Sequence, residues 1–552
     1  MKLIYDQAAH AILQDPEFVE QWKKLHSRCH YATAFQEPAF VCSWYEAYRN
    51  QWNPLILYSQ NSPGEFVGLL LLAYDPSTRS LVHAGSSQSE YHSWLSLPDE
   101  DTSFLSAAWV QLTRQFTFTT LRFRYLPVAE PLTDILRRLP NRRSIGLRKR
   151  PRPLMILNAD EIKASFAKKS NKSRFNRLKK LGEIRFQRIT DPIELNQVFD
   201  ELITFYDLRQ GAVNQSRPFQ HDPNKREFHI NMFGRNQGSV NLTVTYLNDR
   251  PIAGLWGLVS KGRLHLCLIM HSPILAEHSI GKLHIMKLSE SLLSEHIDTL
   301  DLTPGSDPWK ERFANSHDEV AEAIIYRSVF AKIKGELIYK FLNWLRLMAN
   351  RAGITTAKLK SILSVIRSFS LTELWRWIKT DQPFLIYQVD RSFKVDLHRH
   401  EKIRCNELND LLLFQENGTS HSETGFLSSA LARLEQGEKV YTMTHGNRLV
   451  YYCWMDIAPS DKKPIALPPD SIALHDFFFD LEFKKTGFFR DSMEHLLSEA
   501  FADPNIQSAY VFVPAVNQSF CQILEAMGFV NNGAFIKALR FGNEKIRGLK
   551  IQ

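Results

Sequence analysis

The residues of this chain with the clearest chemical potential lie in Lys484-Lys485-Thr486-Gly487, a loop between strand-like Ile472–Phe483 and a helical run from about Phe488 to Phe501. A strand that feeds a helix through a glycine leaves free backbone N–H groups at the helix start. With the helix dipole, these suit a pyrophosphate. Gly487 lets the backbone come close because it lacks a Cβ, and two lysines flank it. The helix is read from spacing: Met493, Leu496, Leu497 and Ala500 recur at i, i+3, i+4 and i+7, as do Phe520, Ile523, Leu524 and Met527 beyond the strand Ala509–Val513. Asn517 takes the N-cap of that second helix and Gly528 its C′ position. Without further support, the loop reads equally as an ordinary strand–helix connection.

A second stretch repeats the order strand, loop with Gly and Lys, helix, strand. Arg263–Met270 leads to Ser279-Ile280-Gly281-Lys282, a helix runs to about His296, and Thr299–Leu302 follows. No residue-by-residue repeat links the two stretches. Asp301, beside Pro304-Gly305, has the chemistry to take a proton from an amine or to orient one, and equally to brace a turn. Lys310 can neutralise a phosphate or an oxyanion, or simply face solvent. Lys172, Arg174 and Arg177 fall within about two turns of one helix and can present one cationic face, to which Arg209 can add. His265, His271, His278 and His284 match no common metal-ligand spacing, so no metal site is expected.

The elements that must position these groups follow from pattern. The N-terminal part mixes a hairpin, Asn53–Ser59 with Phe66–Ala73, a helix from about Thr102 to Phe116 and a strand at Thr119–Tyr125. Its polar–aromatic cluster, Gly85, Glu90, Tyr91, His92 and Trp94, reads as a packing corner or, alternatively, a substrate contact. Arg137–Arg152 holds eight Lys/Arg and no acid, read as a basic surface linker or as a contact for an anionic partner. From about Glu319 to Thr380 the chain is expected to turn helical. Between Tyr326 and Lys379, eleven Lys/Arg stand against two Glu, with tryptophans interleaved, a pattern that suits a hairpin packed on neighbouring domains or an anionic membrane surface.

Composition sets the outer bounds. The 552 residues, 44% hydrophobic and 23% charged, are those of a globular chain with room for several cores. Six scattered cysteines point to a reducing compartment, and neither a signal core nor a spanning apolar run is present. The expected location is cytoplasmic, with peripheral contact with the inner membrane as a further expectation.

Lys484-x-x-Gly487-x-Phe489, with Asn517 and Met527-Gly528-Phe529 downstream, resembles the acyl-CoA loop and Asn…Gly-Phe module of the GNAT acyltransferases. Phe489 replaces the loop's last small residue, and Leu524 stands where many members have a tyrosine general acid. Phe35-Gln36…Trp44, Lys172-x-Arg174-x-x-Arg177…Leu181-Gly182, Ile252-Ala253-Gly254, Ser279-x-Gly281 and Asp301…Gly305…Trp309-Lys310 resemble the CelD-type acyltransferases associated with cellulose and exopolysaccharide synthesis, relatives of the Fem-type aminoacyltransferases.

The resemblance implies an α/β fold of tandem GNAT-like units, with mixed, largely antiparallel sheets and helices. The expected organisation is an N-terminal unit at 1–155, a middle unit at 156–325, a basic helical linker at 326–380 and a C-terminal unit at 381–552. It implies acyl-CoA or acetyl-CoA as co-substrate and a small-molecule amine, of a sugar or other cell-envelope precursor, as acceptor. Asp301 and Lys310 are then expected at the chemistry. Lys484, Lys485, Thr486, Gly487, Asn517, Ser279, Gly281 and Lys282 are expected at the cofactor, and Lys172, Arg174, Arg177 and Arg209 at the substrate. The alternatives are aminoacyl transfer from aminoacyl-tRNA and a non-catalytic, degenerate assembly or sensing protein.

Overall fold

The computed structural model describes residues 1–62, 64–128, 132–139, 142–235, 238–305, 307–351, 379–392, 402–416, 422–457, 465, 467–480, 488–540 and 543–551. The chain forms two compact units. The first comprises Met1–Tyr206, Pro218–His271 and His278–Leu347, and the second comprises Asp207–Arg217, Ser272–Glu277 and Met348–Gln552. The fold is mixed α/β with largely antiparallel sheets.

The first unit contains two sheets. In one, β1 (Lys2–Tyr5), β2 (Asn53–Gln60), β3 (Phe66–Asp75) and β4 (Ser80–His83) pair in sequence order, and β5 (Leu95–Ser96) adds to β3, all antiparallel. Strand β3 is a continuous apolar run buried along nearly its whole length, as expected of a strand covered on both faces.

The second sheet joins β6 (Thr120–Pro127), β7 (Ile145–Ile156), β8 (Ile184–Ile189), β9 (Val240–Leu247), β10 (Arg250–Ser260), β11 (Arg263–His271), β12 (Thr299–Asp301) and β13 (Ser316–Tyr326). Their spatial order is β6-β13-β7-β12-β11-β10-β9-β8. Only β11 and β12 are parallel, and the helix Ile280–Ser294 makes the crossover. That helix buries Leu288 and Leu292 against Leu255, Leu264 and Leu300 of the sheet.

Two expectations are corrected here. The helical reading from Glu319 fails at its start, because β13 pairs with β7 and β6 from Ser316 to Tyr326. Its Ala and Glu content favours a helix locally, but pairing on both edges overrides propensity. The basic run before Arg152 is no surface linker in its second half: Ile145–Ile156 is an interior strand. The border expected after residue 155 coincides with the end of a strand whose neighbours come from the following 160 or so residues, and the expected units 1–155 and 156–325 share one compact unit apart from Asp207–Arg217 and Ser272–Glu277.

The second unit has its own sheet, built from β14 (Lys379–Asp390), β15 (Arg404–Cys405), β16 (Lys439–His445), β17 (Arg448–Ile457), β18 (Ser471–Phe479), β19 (Ser508–Pro514), β20 (Val530–Arg540) and β21 (Asn543–Ile551). The order is β15-β16-β17-β18-β19-β14-β20-β21, and again one pair, β18 and β19, is parallel. The helix Phe488–Phe501 follows β18 and buries Met493, Leu496, Leu497 and Ala500, the four positions read from spacing. Leu524 is fully buried, as an apolar-face residue should be. Among the described residues no helix is long and apolar enough to cross a membrane.

Candidate active site

The parallel pair of the first unit holds for only three registers, ending at His265↔Asp301, while β11 continues to His271. Two parallel strands that part in this way open a gap lined by backbone groups that the ladder no longer satisfies. Ionisable side chains collect at this point.

Asp301 is wholly buried and surrounded by donors. The Tyr91 hydroxyl reaches its two oxygens at 2.9 and 2.8 Å, the Thr303 N–H lies at 2.9 Å, Arg152 at 3.3 Å and His265 Nδ1 at 3.1 Å. Burial alone would raise its carboxyl, but His265, Arg152 and Tyr91 outweigh burial and hold it at about 2. Burial also lowers the His265 pKa, against the pull of Asp301. A neutral imidazole satisfies the network: Nδ1–H donates to Asp301, and Nε2 accepts from the Ser260 hydroxyl at 3.2 Å. Asp301 as the acceptor of an amine proton does not fit these surroundings. Its lone pairs are taken, no solvent reaches it, and it stays ionised far below neutral pH. It acts as the anchor that ties β12 to the loop 86–92, β7 and β11.

Around this anchor stand further ionisable groups. Glu90, next to Tyr91, is half-buried. Burial raises its carboxyl, opposed by Arg124, Lys310 and Lys225 and assisted by Asp301. Lys225 donates to Gln88 at 2.8 Å. Cys267, on β11 past the parting, has its thiol pushed up by burial and by the Glu90 charge, so it carries no thiolate for nucleophilic attack. Lys310 is buried and donates to the carbonyl and hydroxyl of Thr303, both at 3.1 Å, with Asp307 at 3.5 Å. Burial that raises a carboxyl, here against the pull of three cations, moves it in the direction that suits a general base.

At the start of the helix Ile280–Ser294, Ser279 holds the N-cap in a left-handed conformation (φ 52°) and makes no side-chain cap bond. A Cβ at Gly281 would come within 3.0 Å of the His271 ring, so glycine is what permits this close approach. Lys282 donates to Asn171 at 2.9 Å, and its ammonium is lowered by burial and by Arg174, Lys168 and Arg312. Four cations thus gather at one helix N-terminus, a ready anion site. Of the expected substrate face on the helix Lys169–Lys179, Arg174 belongs to this cluster, whereas Lys172 and Arg177 are exposed and carry no ion pair among the described residues. Arg209 is elsewhere: it pairs with Glu435 at 2.9 Å and belongs to the second unit.

In the second unit the parallel pair also parts, after Leu474↔Val511. Here phenylalanines pack at the parting. Phe489 and Phe520 meet edge-to-face at 4.2 Å, Phe477 lies 5.1 Å from Phe520, and Phe479 lies 5.3 Å from Phe489. Asn517 occupies the N-cap of Gln518–Ala526 without a side-chain cap bond. Lys484, Lys485, Thr486 and Gly487 lie outside the described residues.

The first unit's histidines do not converge. His284 sits between the hydroxyls of Thr243 at 3.1 Å and Thr245 at 2.8 Å, while His265 belongs to the Asp301 network. Among the described residues no group of three or more His, Cys, Asp or Glu is placed to hold a metal. Sequence reasoning did not separate Glu90 from its neighbours and did not single out Lys225. The available signal was an acidic residue, Glu90, immediately before the aromatic run Tyr91–Trp94, which pointed to a corner without showing which side chain faces outward.

Residues 165–311 match the family model described as an acetyltransferase (GNAT) domain. That span contains the parted strands, the Ser279–Lys282 helix start and both Asp301 and Lys310, and the protein is an acyltransferase through this domain. No curated protein matches the chain. Among solved structures, FemX is 12% identical over 59% of this chain and 97% of its own, with a TM-score of 0.41. The structure of L-PGS from Bacillus licheniformis is 11% identical over 60% and 97%, with a TM-score of 0.37. A GCN5-related N-acetyltransferase from Kribbella flavida is 11% identical over 58% and 71%, with a TM-score of 0.29.

Proposed function

We propose that the first unit transfers an acyl group from acyl-CoA, acetyl-CoA being the simplest donor, to the amine of a small molecule. The observation that carries this reading is the parting of β11 and β12 beside a raised Glu90 carboxyl within the acetyltransferase-matched unit. The donor's pyrophosphate would rest on Ser279, Gly281 and Lys282, with Arg174 and Arg312 adding charge. The thioester would lie in the gap. Glu90 takes the proton of the attacking amine as its nitrogen bonds to the acyl carbon. The C–S bond then breaks, and CoA leaves as a thiolate that takes up a proton. Lys310 helps hold the loop after β12 in place, next to the developing charge.

The resemblance to CelD-type acyltransferases supports a sugar or other cell-envelope precursor as acceptor. Transfer from aminoacyl-tRNA is the second reading: within the basic segment that would contact RNA, Arg148 is engaged by Glu336 at 2.9 Å and Arg152 by Asp318 and Asp301, whereas Lys172 and Arg177 are exposed and Arg150 is partly so. A thermal-shift panel of CoA thioesters and aminoacyl-tRNA tests the reading. Stabilisation by CoA species that weakens about tenfold in Lys282→Gln is expected. Stabilisation by aminoacyl-tRNA alone would replace it.

The helix Val329–Arg351 supports peripheral contact with an anionic membrane. Its polar side faces the first unit: Glu336 pairs with Arg148, Tyr339 lies under the Arg148 guanidinium at 3.6 Å, and Lys332 donates to the Arg143 carbonyl at 3.2 Å. Its apolar side faces outward, with Phe330, Ile333, Leu337, Phe341 and Trp344 all more than half exposed. Lys332, Lys334, Lys340, Arg346 and Arg351 outnumber the single Glu336, which suits anionic lipid. Co-sedimentation with anionic but not neutral vesicles, lost in Phe330→Glu with Phe341→Glu, is expected. Equal recovery with both vesicle types, or with none, ends this reading.

A further inference from the structure

The arginines of the second sheet follow a pattern that extends beyond the acyl-transfer site. Arg122 and Arg124 stand two apart on β6 and so share a face, as do Arg148, Arg150 and Arg152 on β7. Strand β13 runs between β6 and β7 and sets Glu322 opposite Arg148. Arg148 and Arg152 are engaged as described above. The other three, Arg122, Arg124 and Arg150, line a cavity of about 970 Å³ together with Ser86, Ser87 and Gly305.

The charges here do not balance locally. Glu322 is almost wholly buried and is shared by Arg122, in direct contact, Arg150 at 3.6 Å and Arg148 at 4.0 Å. The nearest carboxylate to Arg124 is Glu90, at 3.7 Å. A guanidinium carries five donors, and one carboxylate cannot occupy those of both Arg122 and Arg150. Their side chains are 56% and 41% exposed, so the unfilled donors face the cavity rather than the core. Glu311 also lines the wall, leaving three guanidiniums against two carboxylates. His83 and His92 line it too, both depressed by burial (His83 to about 4) and so neutral at pH 7.

Crowded like charges are unfavourable without a counter-charge, and the planar guanidinium fork matches phosphate oxygens. A volume of about 970 Å³ falls in the range of small-molecule sites, roughly 300–1,000 Å³. The cavity also adjoins the chemistry, through Arg124 to Glu90 and through Gly305, where a Cβ would lie 3.0 Å from Lys310 Nζ.

We propose that this cavity binds the phosphate or diphosphate group of the acceptor, so that the acyl-transfer substrate is a phosphorylated small-molecule amine. The proposal rests on the reading of the parted strands as the transfer site and adds the acceptor's chemical class. CoA also carries phosphates, so the test separates the two sources.

Inorganic pyrophosphate is titrated calorimetrically into the full chain saturated with CoA, which keeps the donor site filled. The expected result is salt-sensitive binding that weakens about tenfold or more in Arg150→Gln and is unchanged in Lys282→Gln, while CoA affinity is unchanged in Arg150→Gln. Arg122→Gln should weaken it further, but that variant leaves the buried Glu322 short of a partner. Arg150→Gln, at a more peripheral pair, keeps the test valid if Arg122→Gln fails to fold. Absence of pyrophosphate binding to the CoA-bound protein, or equal binding by Arg150→Gln, overturns the proposal and leaves acyl transfer standing. Loss of CoA affinity in Arg150→Gln also overturns it, by assigning the arginines to the donor. Arg150-dependent pyrophosphate binding in a chain that takes no CoA supports the anion site and overturns the donor reading.

Discussion

Two strand–helix–strand crossovers in this molecule share one geometry and differ in what occupies it. In the first unit β11 and β12 part beside Glu90, Lys225, Cys267 and Lys310, anchored by a buried Asp301. In the second unit β18 and β19 part beside Phe477, Phe479, Phe489 and Phe520, whose rings pack on one another. A gap lined by ionisable groups can hold a reacting amine and move a proton, whereas a gap filled with rings gains its stability from burial. The comparison sets ionisable groups at the first unit's parting against packed rings at the second unit's described parting, and the proposed transfer site rests on that contrast.

The largest expected effect tests the anchor. Asp301→Asn should lower unfolding stability by about 3–5 kcal/mol, because it leaves Arg152 and the other donors around a neutral amide. Urea unfolding measures this. A loss below about 1 kcal/mol would mean that Asp301 is no anchor. The sequence alone placed Asp301 at the chemistry, because nothing in it showed how fully the carboxylate is enclosed.

The matching change in the second unit is Phe520→Ala, expected to cost about 3 kcal/mol for a buried aromatic while leaving turnover of the folded protein unchanged. Turnover that falls while the first unit stays folded would break the contrast. Next comes Glu90→Gln, which should reduce kcat about 100-fold, equivalent to about 2.7 kcal/mol, with the alkaline-rising limb of the pH–rate profile removed and the melting temperature nearly unchanged. A profile identical to the parent protein's would clear Glu90 of the base role.

The smallest effect concerns acid. Burial depresses His284 to about 3, and its unfolded counterpart titrates near 6.5. Between these values the unfolded chain binds the extra proton, so stability is full above about pH 6.5 and is lost as pH falls toward 3. From pH 7.5 to 6 this one group should account for about 0.8 kcal/mol of lost stability. His284→Gln, with Thr243 and Thr245 still available as partners, should flatten the pH dependence by that amount in paired unfolding curves.

Much of the scaffold was legible in advance. The helices Ile280–Ser294 and Phe488–Phe501 and the strands β2, β3, β11 and β19 lie within about two residues of their patterns, because apolar periodicity reports directly on which side chains face a core. The strands β7 and β13 were not legible: Arg148-Lys149-Arg150-Pro151-Arg152 reads as a charged linker, and Glu319–Tyr326 reads as helix, until each is seen paired with the other. Strand identity there is a property of the partner, not of the segment.

The sequence by itself determined the strand–glycine–helix arrangement of the first unit, the basic character of its helix start, the mixed α/β class and the resemblance that the matched domain at residues 165–311 supports in its broader, acetyltransferase form. Only the tertiary structure decided which ionisable residues do what. Asp301 and Glu90 are both carboxylates near aromatic residues, and spacing cannot rank them. Folding encloses Asp301 among Tyr91, Thr303, Arg152 and His265 and keeps it charged, while it leaves Glu90 half-buried beside cations with its carboxyl raised. The physical reason is that a carboxylate's proton affinity is set by the donors and dielectric around it, and in this protein those come from residues as far as 210 positions away along the chain.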